Sequence, residues 1–347
     1  MAAEGSVRQA FAIQAGHCAR LGSPFTAALC GLVAERLDRR TAAGRRILDW
    51  PGAPDADALP LRLCGALHAL VRRGQLPDLA ALYPPAPLAP EPLWAALERA
   101  LDAAGPDLDA WLDGPPQTNE VARSGVLMPG LMTVAAETGG RPIVLWEIGA
   151  SAGLNLILDR YAYDLGGVVV GDEAAAVRLA PGWTGPPPPA ARVTVTSRRG
   201  VDLRPVDLRD PGHRERLMAY IWPDQQARLA RMEAAMARAL EDPPVLDRGD
   251  AVLWLAERLA EPPVPGTVRV VQHSIALQYV PPEGQARIAA SLAEAGAHAD
   301  ADTPLAWLAY EFDGRECGLT LTLWPDGTRR RLATAHPHGQ WLRWGPE

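Results

Sequence analysis

The 347 residues are 48% hydrophobic and 22% charged, a composition typical of a globular protein with one large domain or two of ordinary size. The chain contains no lysine, which excludes Schiff-base chemistry, pyridoxal phosphate enzymology and a Walker-type phosphate-binding lysine. The net charge of −7 argues against nucleic acid as a partner, because phosphates would be repelled.

The sequence also bears on localisation, on metal binding and on the state of the cysteines. No apolar run reaches the roughly 18 residues of a membrane span, and the first eleven residues contain no apolar signal core, so we expect a cytoplasmic protein without a membrane partner. His336 and His338 lack a third ligand, so no metal site is expected. The cysteines lack zinc or disulfide spacing and are predicted to be small buried residues: Cys18, Cys30, Cys64 and Cys317.

The first 140 residues have the pattern of a helical domain. Apolar residues recur at intervals of three and four, as in Phe25, Leu29, Leu32 and Val33. The proline-rich segment 82–92 predicts an extended connection, because proline lacks an N–H donor and cannot continue a helix. We therefore predict a helical lid or substrate domain over residues 1–140.

From residue 141 onward, strand-like runs alternate with helical runs, which predicts an α/β domain with a parallel sheet over residues 141–347. The segment 325–328, Pro-Asp-Gly-Thr, is typical of a hairpin turn between the last two strands. The predicted strands are 143–148, 192–196, 267–272, 305–311 and 318–324. The predicted helices lie at about 154–161, 211–240, 251–259 and 282–295.

The segment from Pro142 to Asn155 predicts a nucleotide-cofactor pocket. Ile143 to Trp146 show no alternation, as in a strand covered on both faces. Gly149 and Gly153 would let the backbone turn sharply and approach a ligand, and the N–H groups of the next helix would face the same place. The alternative is an ordinary glycine-containing turn between a strand and a helix.

Residues 141 to about 345 resemble the class I S-adenosylmethionine-dependent methyltransferases. The resemblance rests on an acidic strand end with a glycine turn, a Gly-x-Asp-x-x-Pro segment at 200–205, a Gly-Asp-Ala at 249–251, and a fourth strand followed by a substrate-facing loop. It implies an α/β Rossmann-like fold, with a mostly parallel sheet that ends in an antiparallel hairpin, and S-adenosyl-L-methionine as cofactor. The cofactor-binding residues that it implies are Glu147, Gly149, Ala150, Ser151, Gly153, Asn155, Asp202, Asp250 and Ala251.

Two acids compete for the ribose hydroxyl groups. In the methyltransferases this acid lies about 20 residues after the glycine turn, and Asp172 lies at that distance. Asp202 lies about 50 residues after the turn, so its assignment requires that residues 162–191 are an insertion. We prefer Asp202 because residues 161–170 can form a small hairpin about two glycines. For Asp250, a helix N-cap is an equal alternative to adenine binding. For Glu147, a site role is favoured, because an acid in an apolar strand is costly without partners.

Two further polar groups are candidates for catalysis and substrate binding. His273 follows a buried strand and could accept a proton at neutral pH, with Gln278 and Tyr279 beside it; a structural histidine is the alternative. Gln117, Asn119, Glu120 and Arg123 could line the cofactor mouth as substrate-binding residues. Helix capping by Thr118 or Asn119 is the alternative, which accounts for one residue but not for the whole group.

A narrower resemblance covers nearly the whole chain. The stretches QTNEVAR, EIGASAGLN, WPDQQAR and HSIALQY are similar to the signatures of an uncharacterised bacterial family, domain-of-unknown-function family 2332. The leading expectation is an S-adenosylmethionine-dependent methyltransferase with a small-molecule substrate. A non-catalytic adenosyl-ligand-binding or regulatory protein stays open, and a nicotinamide-dependent oxidoreductase is less favoured because the three-glycine pattern is absent. The sequence leaves the oligomeric state open.

Overall fold

The computed structural model describes residues 2–345 and divides them into two compact units. Unit 1 comprises Met1–Thr118 and Arg209–Glu233, and unit 2 comprises Asn119–Leu208 and Ala234–Glu347. The boundary between the units therefore falls at residue 118, whereas the sequence places the domain boundary at 140. Unit 1 also includes Arg209–Glu233, which the sequence assigns to the α/β domain.

Unit 1 is helical and has its own apolar core. Helix α2 shows how its helices begin: Pro24 stands in the first turn, and Ser23 Oγ accepts the Thr26 N–H. Core residues of α4 include Leu63 and Leu67, both without exposure to solvent. The helices are α1 (Ala2–Arg20), α2 (Pro24–Arg36), α3 (Ala42–Leu48), α4 (Leu59–Arg72), α5 (Pro77–Ala80), α6 (Pro90–Ala103), α7 (Gly105–Leu112) and α9 (Pro211–Ala219).

Three cysteines of unit 1 lie together, although the sequence spacing gave no sign of it. The Sγ atoms of Cys30 and Cys64 are 3.6 Å apart, and the Cys18 thiol is a further neighbour of Cys30. These two thiol neighbours and burial raise the pKa of the Cys30 thiol well above its ordinary value. All three residues are buried, as the sequence predicts.

Unit 2 is built on a mostly parallel sheet. Over its described residues, nine strands hydrogen-bond in the order β7-β6-β1-β8-β9-β10-β11-β12-β5, and β3-β2-β4 form a second, small sheet. The strands are β1 (Ile143–Ile148), β2 (Ala162–Leu165), β3 (Val168–Val170), β4 (Arg178–Leu179), β5 (Gly182–Thr184), β6 (Val195–Asp202), β7 (Val245–Arg248), β8 (Val268–Ser274), β9 (Leu305–Phe312), β10 (Cys317–Trp324), β11 (Thr328–Ala335) and β12 (Trp341–Trp344).

The strand order reverses next to β1. Strand β1 pairs in parallel with β6 on one side and with β8 on the other, so Glu147 lies between Gly200 and Gln272. Along the chain, the five strands β7-β6-β1-β8-β9 have the order third, second, first, fourth and fifth. This is the order of a doubly wound sheet, in which ligands bind outside the carboxyl ends of the strands at the point of reversal.

Helices cover the two faces of this sheet. On one face, Leu308 of β9 fills the space beside Gly130 of α8, where a Cβ atom would lie 2.6 Å from the leucine. On the other face, Trp146 packs with Trp254 of α11 and Leu292 of α12 in one apolar cluster. The helices that lie after residue 118, besides α9, are α8 (Ser124–Glu137), α10 (Gln226–Glu241), α11 (Ala251–Ala260) and α12 (Pro282–Ala297).

Several elements agree with the sequence prediction. Strand β1 has the predicted bounds, and β10 and β11 form the predicted antiparallel hairpin. The predicted hairpin about Gly166 and Gly167 is confirmed, because β2 and β3 pair in antiparallel register there.

Other elements differ from the prediction. The predicted helix 154–161 is wrong: turns and the short 3-10 helix Leu158–Arg160 stand there instead. The second main strand begins at Val195 rather than Arg192, and it continues to Asp202. The predicted helix 211–240 is two helices, α9 and α10, separated at residues 220–225.

Candidate functional site

The candidate site lies at the carboxyl ends of β1, β6 and β8. The turn after β1 has a left-handed backbone at three residues, with φ of 69° at Gly149, 52° at Ser151 and 73° at Gly153. A positive φ is easy for glycine but costs energy for serine. Strained backbone of this kind is concentrated at functional sites.

No α-helix follows this turn, although the sequence predicts one; the side chain of Asn119 binds the backbone there instead. Its Oδ1 accepts the N–H groups of Ala152 (3.2 Å) and Leu154 (3.0 Å), and Asn119 is itself buried. A side chain distant in sequence therefore satisfies backbone donors that would otherwise begin a helix. Asn119 is a positioning residue for the turn, whereas the sequence assigned it to substrate.

The two glycines of the turn are required by the packing of the protein itself. A Cβ atom at Gly149 would lie 2.6 Å from Ala276 Cβ, and one at Gly153 would lie 2.5 Å from Pro244 Cγ. The turns after β1 and β8 therefore touch through Gly149 and Ala276. Gly149 is nevertheless exposed, so its backbone can be reached from solvent.

Asp202 ends β6 directly beside this turn. Its Oδ2 accepts the Ser151 N–H at 2.9 Å, and its Oδ1 accepts the Arg204 N–H at 2.8 Å. The carboxylate is part-buried, and each oxygen has a second lone pair for a ligand hydroxyl. Asp172 is exposed after β3 of the small sheet, where it accepts the Ala174 N–H.

Glu147 is the most strongly perturbed acid of the site. It is 1% exposed, and burial raises its pKa to about 8, with a further rise from the charge of Asp202. Its neighbour across the sheet is Gln272, whose side chain partly offsets this rise of the pKa. Glu147 Oε2 and Gln272 Oε1 both lack a partner among the described residues. A protonated Glu147 can supply the missing donor, so its neutral form fits this position.

Residues beneath the turn belong to the core rather than to the solvent-facing site. Asn155 is 2% exposed, its Oδ1 accepts the Ser124 hydroxyl at 2.7 Å, and its carbonyl accepts Gln272 Nε2 at 3.1 Å. Ala150 is fully buried. The sequence placed both residues in the cofactor pocket; their burial instead makes them supports for the turn.

His273 has no ring nitrogen available for a substrate proton. The Trp307 indole N–H donates to Nε2 at 2.8 Å, so Nδ1 carries the proton and donates to Glu311 Oε1 at 2.6 Å. The ring is fully buried. This geometry corresponds to the structural alternative for His273 and gives its proposed role as proton acceptor no support.

Glu311, which the sequence reasoning missed, holds the loop after β8. Its Oε1 also accepts the N–H groups of Ala276 (2.9 Å) and Leu277 (3.2 Å). Burial alone would raise the pKa of Glu311, but the hydrogen bonds from the loop and from His273 lower it. Glu311 lies in β9, 34 residues after Leu277, so nothing in the sequence around either residue indicates that they are in contact.

The loop after β8 carries the second strained residue of the site. Ile275 has φ of 51°, which is rare for a β-branched side chain. The predicted catalytic residues Gln278 and Tyr279 follow it and are exposed, Tyr279 at 79%. They face solvent at the carboxyl end of β8, where they could contact a ligand.

Asp250 caps α11, as its alternative interpretation predicts. Its Oδ1 accepts the N–H groups of Val252 (2.9 Å) and Leu253 (3.1 Å), and Ala251 is the first helical residue. The residue is exposed, and its Oδ2 makes no hydrogen bond to the described residues. Capping and ligand binding are therefore compatible.

The remaining predicted substrate residues have separate roles. Glu120 Oε1 accepts the Ala122 N–H and caps the short helix Val121–Arg123. Arg123 donates to the carbonyls of Ser274 (2.8 Å) and Pro337 (3.0 Å), so it supports the end of β8. Gln117 belongs to unit 1.

A model of a bacterial family matches residues 8–344, nearly the whole chain. The chain belongs to the family described as "Uncharacterized protein conserved in bacteria (DUF2332)". The family description names no reaction. Neither the curated proteins nor the solved structures contain a match to the chain.

The part of the chain that the structure describes has neither a membrane-spanning helix nor a metal-binding cluster. Between residues 2 and 345, no helix is long and apolar enough to cross a membrane. Within the same range, no group of three or more His, Cys, Asp or Glu side chains is arranged to hold a metal ion.

Proposed function

We propose that unit 2 binds S-adenosylmethionine at the carboxyl ends of β1 and β6, and that the protein is a methyltransferase for a small-molecule acceptor. The observation that carries the proposal is the pair of strained residues, Ser151 and Ile275. They lie at the ends of the two strands between which the sheet order reverses. Ligands of doubly wound sheets bind at this point.

The residues present fit an adenosyl group in three respects. Asp202 offers two oxygens to ribose hydroxyls beside the exposed backbone of Gly149. Asp250, at the next strand end, has an oxygen left for the adenine amino group. Ser151 Oγ is a buried hydroxyl without a partner among the described residues, which a ligand group can satisfy.

The chemistry of this site would depend on orientation more than on proton transfer. When bound, the cofactor supplies a methyl group on a sulfonium centre. Gln278 and Tyr279 would orient the acceptor, while His273 and Glu311 hold the loop that carries them. Because His273 has no free nitrogen, we expect an acceptor that is nucleophilic without a histidine base, such as a thiolate, a carboxylate or a neutral amine.

A non-catalytic adenosyl-ligand-binding protein is the second candidate. The saturated hydrogen bonds of His273 favour it, because they remove the general base that the sequence suggested. A nicotinamide-dependent oxidoreductase would also use an acid such as Asp202 for its ribose, so the ligands themselves must be compared.

Calorimetric titration with S-adenosylmethionine, S-adenosylhomocysteine and NAD separates these functions. The proposal predicts that both adenosyl-sulfur compounds bind and that NAD does not. Transfer of a labelled methyl group to a panel of small thiols, carboxylates and amines then distinguishes the methyltransferase from the binding protein. Binding of NAD alone, or of none of the three at millimolar concentration, would contradict the proposal.

A further inference from the structure

A cavity of about 310 Å³ lies in unit 2, away from the carboxyl ends of the strands. Its floor includes Val144 and Trp146 of β1, on the sheet face that packs against α11 and α12. Its wall is the end of α11 and the following segment 261–264. Val144 is the second residue of β1, so the cavity is distinct from the adenosyl site proposed above.

Four arginines line this cavity, and three of them have a carboxylate partner. Arg198 pairs with Asp159, Arg199 with Asp247 and Arg258 with Glu261, each at 2.6 Å. Glu261 also lines the cavity, but its carboxylate is half-exposed and is engaged by Arg258. The fourth arginine, Arg269, makes no ion pair with any described residue.

Arg269 is a buried charge without a counter-charge. The residue is 7% exposed, and burial lowers its pKa from the ordinary value. Its Nη1 donates to the Leu259 carbonyl at 3.5 Å, which is at the limit of a hydrogen bond, and its Nε lacks a partner. The end of α11 offsets this charge only weakly through such a long contact. An unpaired buried guanidinium destabilises the fold, unless something outside the chain pairs with it.

We propose that this cavity binds a small organic anion, whose carboxylate or phosphate pairs with Arg269 and whose apolar part lies against Trp146 and Val264. The volume is at the lower end of the range for small-molecule sites. The guanidinium presents a planar set of donors that matches both kinds of oxyanion. Three of the four arginines are neutralised by carboxylates, so Arg269 leaves one positive charge in the cavity, which favours an anion over a neutral compound.

Titration calorimetry with benzoate, phenyl phosphate and benzyl alcohol tests this site. The two anions are expected to bind the wild-type protein, whereas the neutral alcohol of similar shape is not. Arg269→Met should weaken anion binding at least about tenfold, because it removes a charge-assisted hydrogen bond. Arg315→Met is the matched control, because the Arg315 side chain is exposed and makes no ion pair with the described residues, and it should bind as the wild type does. Which anion binds more tightly identifies the oxyanion.

Thermal unfolding of the same variants separates a ligand-binding arginine from a structural one. Removal of an unpaired buried charge should leave the Tm unchanged or raise it. A lower Tm for Arg269→Met, together with no anion binding by the wild type, would mean that Arg269 caps α11 and would overturn the proposal. Val264→Trp should narrow the cavity and weaken binding with Arg269 intact. Equal anion binding by the wild type and by Arg269→Met would also overturn the proposal.

Discussion

Glu147 combines a position in a buried strand with a side chain that could ionise. The folded protein keeps its proton up to about pH 8, whereas the unfolded chain releases it near the ordinary value of 4.5. Between these values the folded state binds more protons than the unfolded state. The free energy of unfolding therefore falls as pH rises through this window, by up to about 1.4 kcal/mol per pH unit for this group.

Glu147→Gln should remove this contribution, because the amide is neutral at every pH in the window. We expect the variant to gain stability relative to the wild type between pH 5 and pH 8, measured by urea unfolding at intervals of one pH unit. Glu257→Gln, at an exposed position of α11, is the control and should follow the wild type. Parallel curves for wild type and Glu147→Gln would show that Glu147 is ionised when folded.

The sequence identified several residues of the site but not their partners. Glu147, Asp202 and Asp250 lie at or just after strand ends as predicted. Glu147 follows an apolar run that is recognisable locally, whereas Asp202 and Asp250 were found only through the resemblance of their segments to those of the methyltransferases. The contacts of His273 could not be predicted, since Trp307 and Glu311 follow it by 34 and 38 residues. Only the pairing of β8 with β9 brings them together.

At the scale of elements, the turns after β1 and β8 form one structural feature. Gly149→Ala should destabilise the protein by about 1–3 kcal/mol, because it adds a Cβ at positive φ against Ala276. Ala276→Gly in the same chain should recover part of this loss, since it removes the clash and leaves the backbone strain. A double-mutant cycle of urea unfolding should give a coupling of at least about 0.5 kcal/mol. Strictly additive effects would mean that the two turns are independent.

The predicted helix 154–161 failed for a reason that applies to short apolar runs in general. Asn155 and Asp159 are four residues apart, as on the polar face of a helix, but Asn155 is as buried as Leu154, Leu156, Ile157 and Leu158, so the apparent helical period does not correspond to an exposed face. The long-range hydrogen bonds that Asn119 Oδ1 accepts from Ala152 and Leu154 then decide the local conformation. Strand β1 was predictable because a short run of six residues, five of them buried, stands between turn-forming residues and leaves few alternatives.

At the scale of the whole molecule, unit 1 is assembled from two separated stretches of chain. Asp224 accepts from the Ser23 hydroxyl (2.6 Å) and from the Phe25 N–H (2.9 Å), so it holds the start of α2. The Tyr220 ring lies where a Cβ of Gly65 would be. Sequence reasoning could not assign 209–233 to the helical unit, because its helical pattern is equally typical of an α/β crossover.

Residues 1–118 alone should therefore fold poorly. We expect them to show broad thermal unfolding by circular dichroism, whereas residues 1–118 joined to 209–233 by a Gly/Ser linker should unfold cooperatively. Asp224→Ala in the joined chain should lower its stability by about 1–3 kcal/mol through the loss of two hydrogen bonds to a carboxylate. Cooperative unfolding of 1–118 at the same temperature would show that the second stretch is dispensable.

S-adenosylhomocysteine calorimetry on two aspartate variants tests whether an adenosyl site lies beside the turn after β1. Asp202→Ala removes the carboxylate at the carboxyl end of β6 and should weaken binding about tenfold to a hundredfold, the value of a charge-assisted bidentate contact. Asp172→Ala removes an exposed carboxylate of the small sheet and should bind as tightly as the wild type. Equal affinities for wild type and Asp202→Ala, or a loss confined to Asp172→Ala, would contradict the account.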